Sequence, residues 1–331
     1  MRVVVAGFGA VGRRVAQHLI SVPSVESLVV VHREPRRVEA QVRALGERAD
    51  LRYGSGNGFP AGDVTVLTLP NGNRRMAEIA LSQGSDVVSC ADDPTEVKAL
   101  LSSDKLARSH RKSIVVGAGM APGLTCALAG HLRTGFDSVE EIHVASVGTG
   151  GPGCARRHHE ALSSLSLDWE DGEWRRRPGG SGRELVWFPE PVGGADCYRA
   201  ALPDALLLLP AFPGCRRITS RLAATRRDRM TAWLPMLRPP HPEGLIGAAR
   251  VEMRGWIDGK AETEIVGSAV APGVAAAAVA SRAAIWAGEG RLSRVGAGGV
   301  AEMIPDPGLF LKEISPDGIN VAVFEGQPSP G

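Results

Sequence analysis

Three groups of residues in this sequence have the types and spacing to do chemistry. The first is Gly7-Phe8-Gly9-Ala10-Val11-Gly12, a G-x-G-x-x-G run. Glycine at its first position permits a tight turn, at its second lets the backbone approach a pyrophosphate, and at its third lets a helix pack closely on a strand. The second group is Gly148-Thr149-Gly150-Gly151-Pro152-Gly153, followed by Arg156, Arg157, His158 and His159. Gly150 and Gly151 offer backbone donors, Arg156 a guanidinium for a substrate carboxylate, and the histidines an imidazole that gives or takes a proton near neutral pH. Neighbouring helical residues point about 100° apart, so one histidine is expected to face a site; the reading leans to His159, with His158 as the alternative. The third group is Asp196-Cys197-Tyr198-Arg199, in which Tyr198 can donate a proton and Arg199 can clamp a carboxylate with a bidentate fork. Each of the last two groups also has an ordinary reading: a solvated basic helix face, and a strand with its tyrosine packed and its arginine exposed.

The elements around the first group fit a dinucleotide site. Arg2–Ala6 is a β-branched run of the kind buried on both faces of a parallel sheet, and a helix pattern follows over Arg13–Leu19. The free N–H groups at the start of that helix would face the phosphates. A second strand, Leu28–Val31, ends at His32-Arg33. An acidic residue there would suit the 2′-hydroxyl of NAD, whereas an arginine suits a 2′-phosphate. Arg33 is therefore expected to select NADP(H) over NAD(H); its alternatives are a solvated basic turn and a platform for the adenine. Further strands are read at Asp63–Leu69, stopped by the Pro70-Asn71-Gly72 turn, at Asp86–Ser89, running into Cys90-Ala91-Asp92, and at Ser113–Gly117. Helices are read at Arg74–Ser82 and from Pro94 to about Leu106. Alternation of strand and helix predicts a doubly wound parallel Rossmann sheet with ligands at the strands' carboxyl ends. Besides the glycine run, His32 and Arg33, those ends bring Leu69, Pro70, Asn71, Ala91, Asp92, Gly117, Ala118 and Gly119 to the cofactor. Asp92 is read as a helix cap or a contact to a cofactor ribose.

From Val139 the pattern changes. Val139–Val147 reads as a strand, the segment after the Gly148–Gly153 loop as a helix to about Leu165, and Asp171-Gly172 and Asp258-Gly259 as hairpin turns. Strands are expected at Leu185–Phe188, Ile218–Ala224, Ala248–Ile257 and Ala261–Ala269, and a helix at the alanine-rich stretch beginning at Pro272. The expected division is a cofactor domain over 1–135 and an α+β substrate and dimerisation domain, built on a mixed or antiparallel sheet, over 136–295. The segment from about 296 to 331 is a candidate to complete the first domain or to edge the second sheet.

Composition narrows the function. At 331 residues, with 44% hydrophobic and 22% charged residues and a net charge of +2, the chain has no field that argues for nucleic acid or an anionic membrane. Basic residues are almost all arginine, so few lysines are available for catalysis. The five cysteines are widely spaced with no C-x-x-C pair, which argues against a disulfide framework or a structural metal. No metal, no nucleic acid and no membrane partner is expected, and a cytoplasmic homodimer is.

The stretch Gly117–Leu132, GAGMAPGLTCALAGHL, resembles the crossover segment of the saccharopine dehydrogenase-like family, whose members pair an opening G-x-G-x-x-G with a later G-x-G-x-x-P-G motif. Here these stand at Gly7–Gly12 and Gly117–Gly123. The resemblance covers residues 1 to about 150 and weakens beyond to a shared layout. It implies NAD(P)-dependent oxidation of a secondary amine, or reduction of an imine formed from an amino acid and a carbonyl acid. A looser similarity links the strand, glycine loop and His158-His159 pair to dihydrodipicolinate reductases; there the pair precedes a lysine and the glycine loop, and here the glycines come first and no lysine follows. The expected function is thus an NADP(H)-dependent oxidoreductase on CH–NH or C=N groups of a substrate with at least one carboxylate. The alternatives are a dihydrodipicolinate-reductase-like or amino-acid dehydrogenase activity, and an NADP(H)-binding sensor without turnover.

Overall fold

Short β-branched runs with no polar alternation make strands that are buried on both faces, and the amino-terminal half of the chain supplies them in series. The structure, a computed structural model, describes residues 1–54, 58–236 and 239–324. Strands β1 (Arg2–Ala6), β2 (Ser27–His32), β3 (Ala49–Tyr53), β4 (Val64–Leu67), β5 (Asp86–Ser89) and β6 (Ser113–Val116) pair in parallel in the order β3-β2-β1-β4-β5-β6. This is the Rossmann order, in which the strand sequence reverses beside β1 and opens a crevice there. Strand β3 was not apparent in the sequence. It is a sheet edge, so its polar side chains are largely exposed and carry no apolar signature. The helix expected to run to Leu106 is two, Pro94–Leu101 and Asp104–Ser109. The Asp93 carboxylate caps the first of them by accepting from the Thr95 and Glu96 backbone N–H groups.

The second sheet is built from β7 (Ser138–Val147), β8 (Leu165–Glu170), β9 (Glu173–Pro178), β10 (Glu184–Trp187), β11 (Gly194–Arg199), β12 (Arg217–Ala223), β13 (Gly247–Ile257) and β14 (Lys260–Val270). Its path is β10-β11-β12-β7-β13-β14, with the β8–β9 hairpin attached to β12. The β7–β12 pair is parallel and the others antiparallel, so the sheet is mixed. Both Asp-Gly turns form two-residue hairpin loops: Asp171 and Gly172, and Asp258 and Gly259, have positive φ, as a type I′ turn requires.

The chain then returns to the first domain. The alanine-rich helix Pro272–Gly288, placed by sequence in the second domain, packs against helix Ala10–Ser21 and over β4 and β5. Its small side chains allow that close approach. Strand β15 (Gly296–Gly299) adds a seventh parallel strand beside β6, and β16 (Ala322–Phe324) pairs antiparallel with β14. The sequence Gly-Ala-Gly-Gly has no β-branched residue, which hid β15. The glycines are there for space, since a Cβ on Gly299 would sit 2.9 Å from Leu207 Cβ. Residues 325–331 of the expected carboxyl-terminal segment lie outside the described residues.

One core runs through both domains, joining Val3, Leu28 and Val66 to Ile142, Val251 and Met253. Within it Asp204 is fully buried, and its Oδ1 accepts from Thr125 Oγ1 at 2.8 Å. Burial pushes its carboxyl up to about 6 from an ordinary 3.8. The folded state therefore holds a proton that the unfolded chain has released between pH 4 and 6, and stability falls as pH rises through that window. At about 1.4 kcal/mol per unit the loss is about 3 kcal/mol, complete above pH 6. Asp204→Asn, which keeps an acceptor for Thr125, is expected to be more stable than the native chain at pH 7 and equal to it near pH 4, as read by urea unfolding at both pH values.

Candidate functional site

The carboxyl ends of β1, β2, β4 and β5, with the turn that follows β6, face the loop after β7 across one cavity of about 650 Å³. Its floor is the glycine run. Gly7 has φ +94°, and a Cβ on Gly12 would fall 2.2 Å from Gly7 O, so these two glycines are required by the turn and by helix packing. A Cβ on Gly9 would meet nothing within 4 Å; that position faces open cavity. Gly9 is also the N-cap of helix Ala10–Ser21, which has neither a side-chain cap nor an acidic residue in its first turn. Its first N–H groups are left for an anion. The cradle therefore fits the pyrophosphate of a dinucleotide.

At the β2 end, His32 and Arg33 line the cavity along with Val31, Gly54 and Phe59. Arg33 makes no ion pair among the described residues. The neighbouring acid, Glu34, is turned onto Arg37 at 2.7 Å and does not line the cavity. His32 is occupied locally, its Nδ1 accepting from the Glu34 N–H at 3.1 Å.

Leu69, Pro70, Asn71, Asp92 and Gly119 also line the cavity, while Ala91, Gly117 and Ala118 do not. Ala91 is buried behind the strand end, its N–H donating to Ser89 Oγ. Gly117 and Ala118 carry the chain into the tight Gly119–Gly123 turn, where the Gly119 N–H donates to Pro122 O at 2.9 Å and a Cβ on Gly123 would fall 2.1 Å from Gly119 O. Asp92 is not a helix cap, since Asp93 fills that role. The Asp92 carboxylate instead pairs with Arg157 Nε, and Arg157 Nη1 also donates to Pro70 O. Burial works against the Arg157 charge, and Asp92 more than offsets it. This ion pair ties the second domain's helix to the ends of β4 and β5.

That helix, Pro152–Ala161, starts at the cavity. Gly150, Gly151, Arg156 and His158 line it, and His159 does not. The two histidines diverge as helical spacing requires, opposite to the expected assignment. His159 Nε2 is held by the backbone carbonyls of Thr231 and Leu234, at 3.0 and 3.1 Å, and anchors a distant segment. His158 Nε2 lies 3.6 Å from Cys154 Sγ, and its Nδ1 is buried with no partner among the described residues. Burial lowers the His158 pKa, with Asp92 opposing and Arg157 assisting that shift, so the imidazole is neutral at pH 7.

Tyr198 and Arg199 lie away from the cavity. Tyr198 is packed with Leu162, Leu202 and Leu222 under the Arg229 guanidinium, 5.0 Å from the ring centroid. Arg199 faces the buried Asp168, which Arg177 and Arg221 also approach, all at 3.6–3.8 Å. These are structural roles. Arg199→Ala is expected to lower unfolding stability by about 1–3 kcal/mol, and Tyr198→Phe to lower it less; neither is expected to change cofactor affinity. Denaturant unfolding and cofactor titration on the same preparations check both.

Asp92, Cys154 and His158 place one potential ligand atom each within 4.8 Å of one another. The Asp92 carboxylate is spent on Arg157, and burial and then Asp92 push the Cys154 thiol well above its ordinary range. The sequence placed Arg157 in the basic group beside the histidines, but nothing in the sequence pairs it with Asp92.

No protein-family model matches this sequence, and no curated protein matches it. Among solved structures, saccharopine dehydrogenase (L-Glu forming) from Saccharomyces cerevisiae superposes with a TM-score of 0.70 at 14% identity, covering 98% of this chain and all of that one. DAP dehydrogenase from C. glutamicum in complex with DAP matches more loosely, with a TM-score of 0.46 at 12% identity over 96% of each chain. An engineered D-amino acid dehydrogenase bound to NADP+ gives 0.45 at 12% identity, also over 96% of each chain. Over nearly its whole length, this chain has the fold of the yeast saccharopine dehydrogenase.

Proposed function

We propose that the protein is an NADP(H)-dependent oxidoreductase that interconverts a secondary amine and the corresponding imine on a substrate carrying a carboxylate. The observation that carries this reading is one cavity shared by both domains, with an open dinucleotide cradle on one wall and Arg156 and His158 of the second domain on the other. Its charged lining is four arginines, Arg33, Arg75, Arg156 and Arg157, against one aspartate, a balance suited to an anionic cofactor together with an anionic substrate. The saccharopine dehydrogenase fold agrees with this chemistry.

A bound nicotinamide would accept or donate the hydride. The chain's own residues do the rest. Arg156, with no ion pair among the described residues, holds the substrate carboxylate, assisted by the Gly150 and Gly151 backbone at the helix start. No lysine lines the cavity, and His158 is the one imidazole on its second-domain wall. As amine becomes imine, the C–H hydrogen leaves with its electron pair, and His158, neutral at pH 7, takes the proton from nitrogen. The reverse direction returns that proton. The Asp92–Arg157 pair fixes the helix that carries both groups.

The test is turnover with a panel of amino acids paired with oxo acids, followed by the absorbance of the reduced nicotinamide. Consumption of NADPH with an amine and oxo-acid pair, but not with either alone, is expected. Tight NADPH binding with no turnover across the panel would make the protein a sensor and overturn the catalytic reading.

A further inference from the structure

We propose that Arg75 is a second reader of the cofactor's 2′-phosphate, working with Arg33 from the opposite side of β1. The inference rests on the dinucleotide reading of the cavity. Arg33 follows β2 and Arg75 follows β4, the two strands that flank β1, and both side chains line the cavity. Nearby arginines are engaged elsewhere: Arg37 with Glu34 at 2.7 Å, Arg52 with Asp50 at 2.7 Å, and Arg74 with Glu78 at 2.8 Å. Arg33 and Arg75 have no carboxylate partner among the described residues. Two exposed guanidiniums without carboxylate partners on one cavity leave both forks free for charge-assisted hydrogen bonds to a doubly charged phosphate.

Helix Asn73–Ser82 also starts here, but its free N–H groups are not what an anion would meet. The Glu96 carboxylate accepts from Gly72 N, Asn73 N and Asn73 Nδ2, at 3.1, 2.9 and 3.1 Å. With the helix start occupied by an acid, the cation this element offers the cavity is the Arg75 side chain. The same cavity is lined by the apolar side chains of Val31, Phe59 and Met76. Such residues suit an adenine face, and the proposal places the 2′-phosphate of that nucleotide between Arg33 and Arg75.

The experiment titrates NADPH, NADH and 2′,5′-ADP into the wild type, Arg33→Ala, Arg75→Ala and the double variant. Arg75→Ala is expected to weaken NADPH and 2′,5′-ADP by about tenfold or more, the scale of a lost charge-assisted hydrogen bond, and to leave NADH within about twofold. The double variant is expected to bind NADPH no better than NADH. Equal weakening of NADPH and NADH by Arg75→Ala, or no weakening of either, would overturn the assignment of Arg75. Failure of the wild type to bind any of the three is a different result, which removes the dinucleotide reading itself.

Discussion

Replacing Gly12 by valine is expected to remove most dinucleotide affinity while leaving the chain folded. A Cβ at this position falls 2.2 Å from Gly7 O and 2.6 Å from Thr68 Oγ1; the threonine hydroxyl can rotate away, but the Gly7 carbonyl cannot move without displacing the end of β1. Helix Ala10–Ser21 must therefore lift from the loop, taking its N-terminus away from the phosphate position. Overpacking of this kind costs about 1–3 kcal/mol. If that cost falls on the cradle, binding weakens about 10- to 100-fold. Gly9→Ala is the control. Its Cβ meets nothing within 4 Å, so the protein keeps its stability and loses affinity only because the methyl group enters the space of the ligand. Titration of NADPH, with circular dichroism to confirm folding, separates the two mechanisms. Equal affinity in all three proteins would mean that the loop does not contact the cofactor.

The second large effect is expected at His158. With no lining lysine and with the cysteine thiols pushed up by burial, Cys90 to about 12, His158 is the group proposed to move the proton. His158→Asn is expected to lower kcat by about 10²–10⁴-fold, the usual range for general acid–base catalysis, and to leave NADPH affinity within about twofold. The pH dependence has a definite sign. Burial lowers the His158 pKa below the ordinary 6.5, so amine oxidation should keep its rate at pH 6.5 and decline only in more acid solution. The variant should lack that acid limb. Stability carries the same signature: the unfolded chain takes up a proton near pH 6.5 that the native His158 resists, so the native protein loses stability as pH falls below 6.5 and the variant loses less. Unchanged kcat in His158→Asn would remove the histidine from the reaction, whatever the fate of the cofactor site.

The two domains differ in how much of them was legible in the sequence. In the first, each strand is buried on both faces and each strand end is marked by glycine, proline or a cap, so local chemistry and tertiary role coincide. The exceptions, β3 and β15, are edge strands, one polar because it is exposed and one glycine-rich because Leu207 packs against it. In the second domain the hairpins were legible from Asp-Gly, a local signal. The site was legible only in part. His158 and His159 have the same local sequence context, and only the direction of helix Pro152–Ala161 relative to the sheet decides which faces the cavity. Tyr198 and Arg199 were attractive as rare or charged residues, but their partners, Arg229 and Asp168, come from remote segments. The Asp92–Arg157 pair has the same origin, two residues 65 positions apart brought together by domain packing.

The alanine-rich helix Pro272–Gly288 shows the same limit in reverse. Its composition announced a packed helix, yet nothing local says which domain it packs on. Its contacts with helix Ala10–Ser21 place it against the element that carries the glycine run. The second domain is thus bound to the cofactor domain at both of its chain connections.

The most direct test of the account is calorimetric titration of NADPH and NADH into the wild-type protein. One NADPH is expected to bind per chain, more tightly than NADH, with the preference reduced in Arg33→Ala. Binding of neither nucleotide would contradict it, and would leave the cavity at the glycine run without the ligand that its geometry and charge describe.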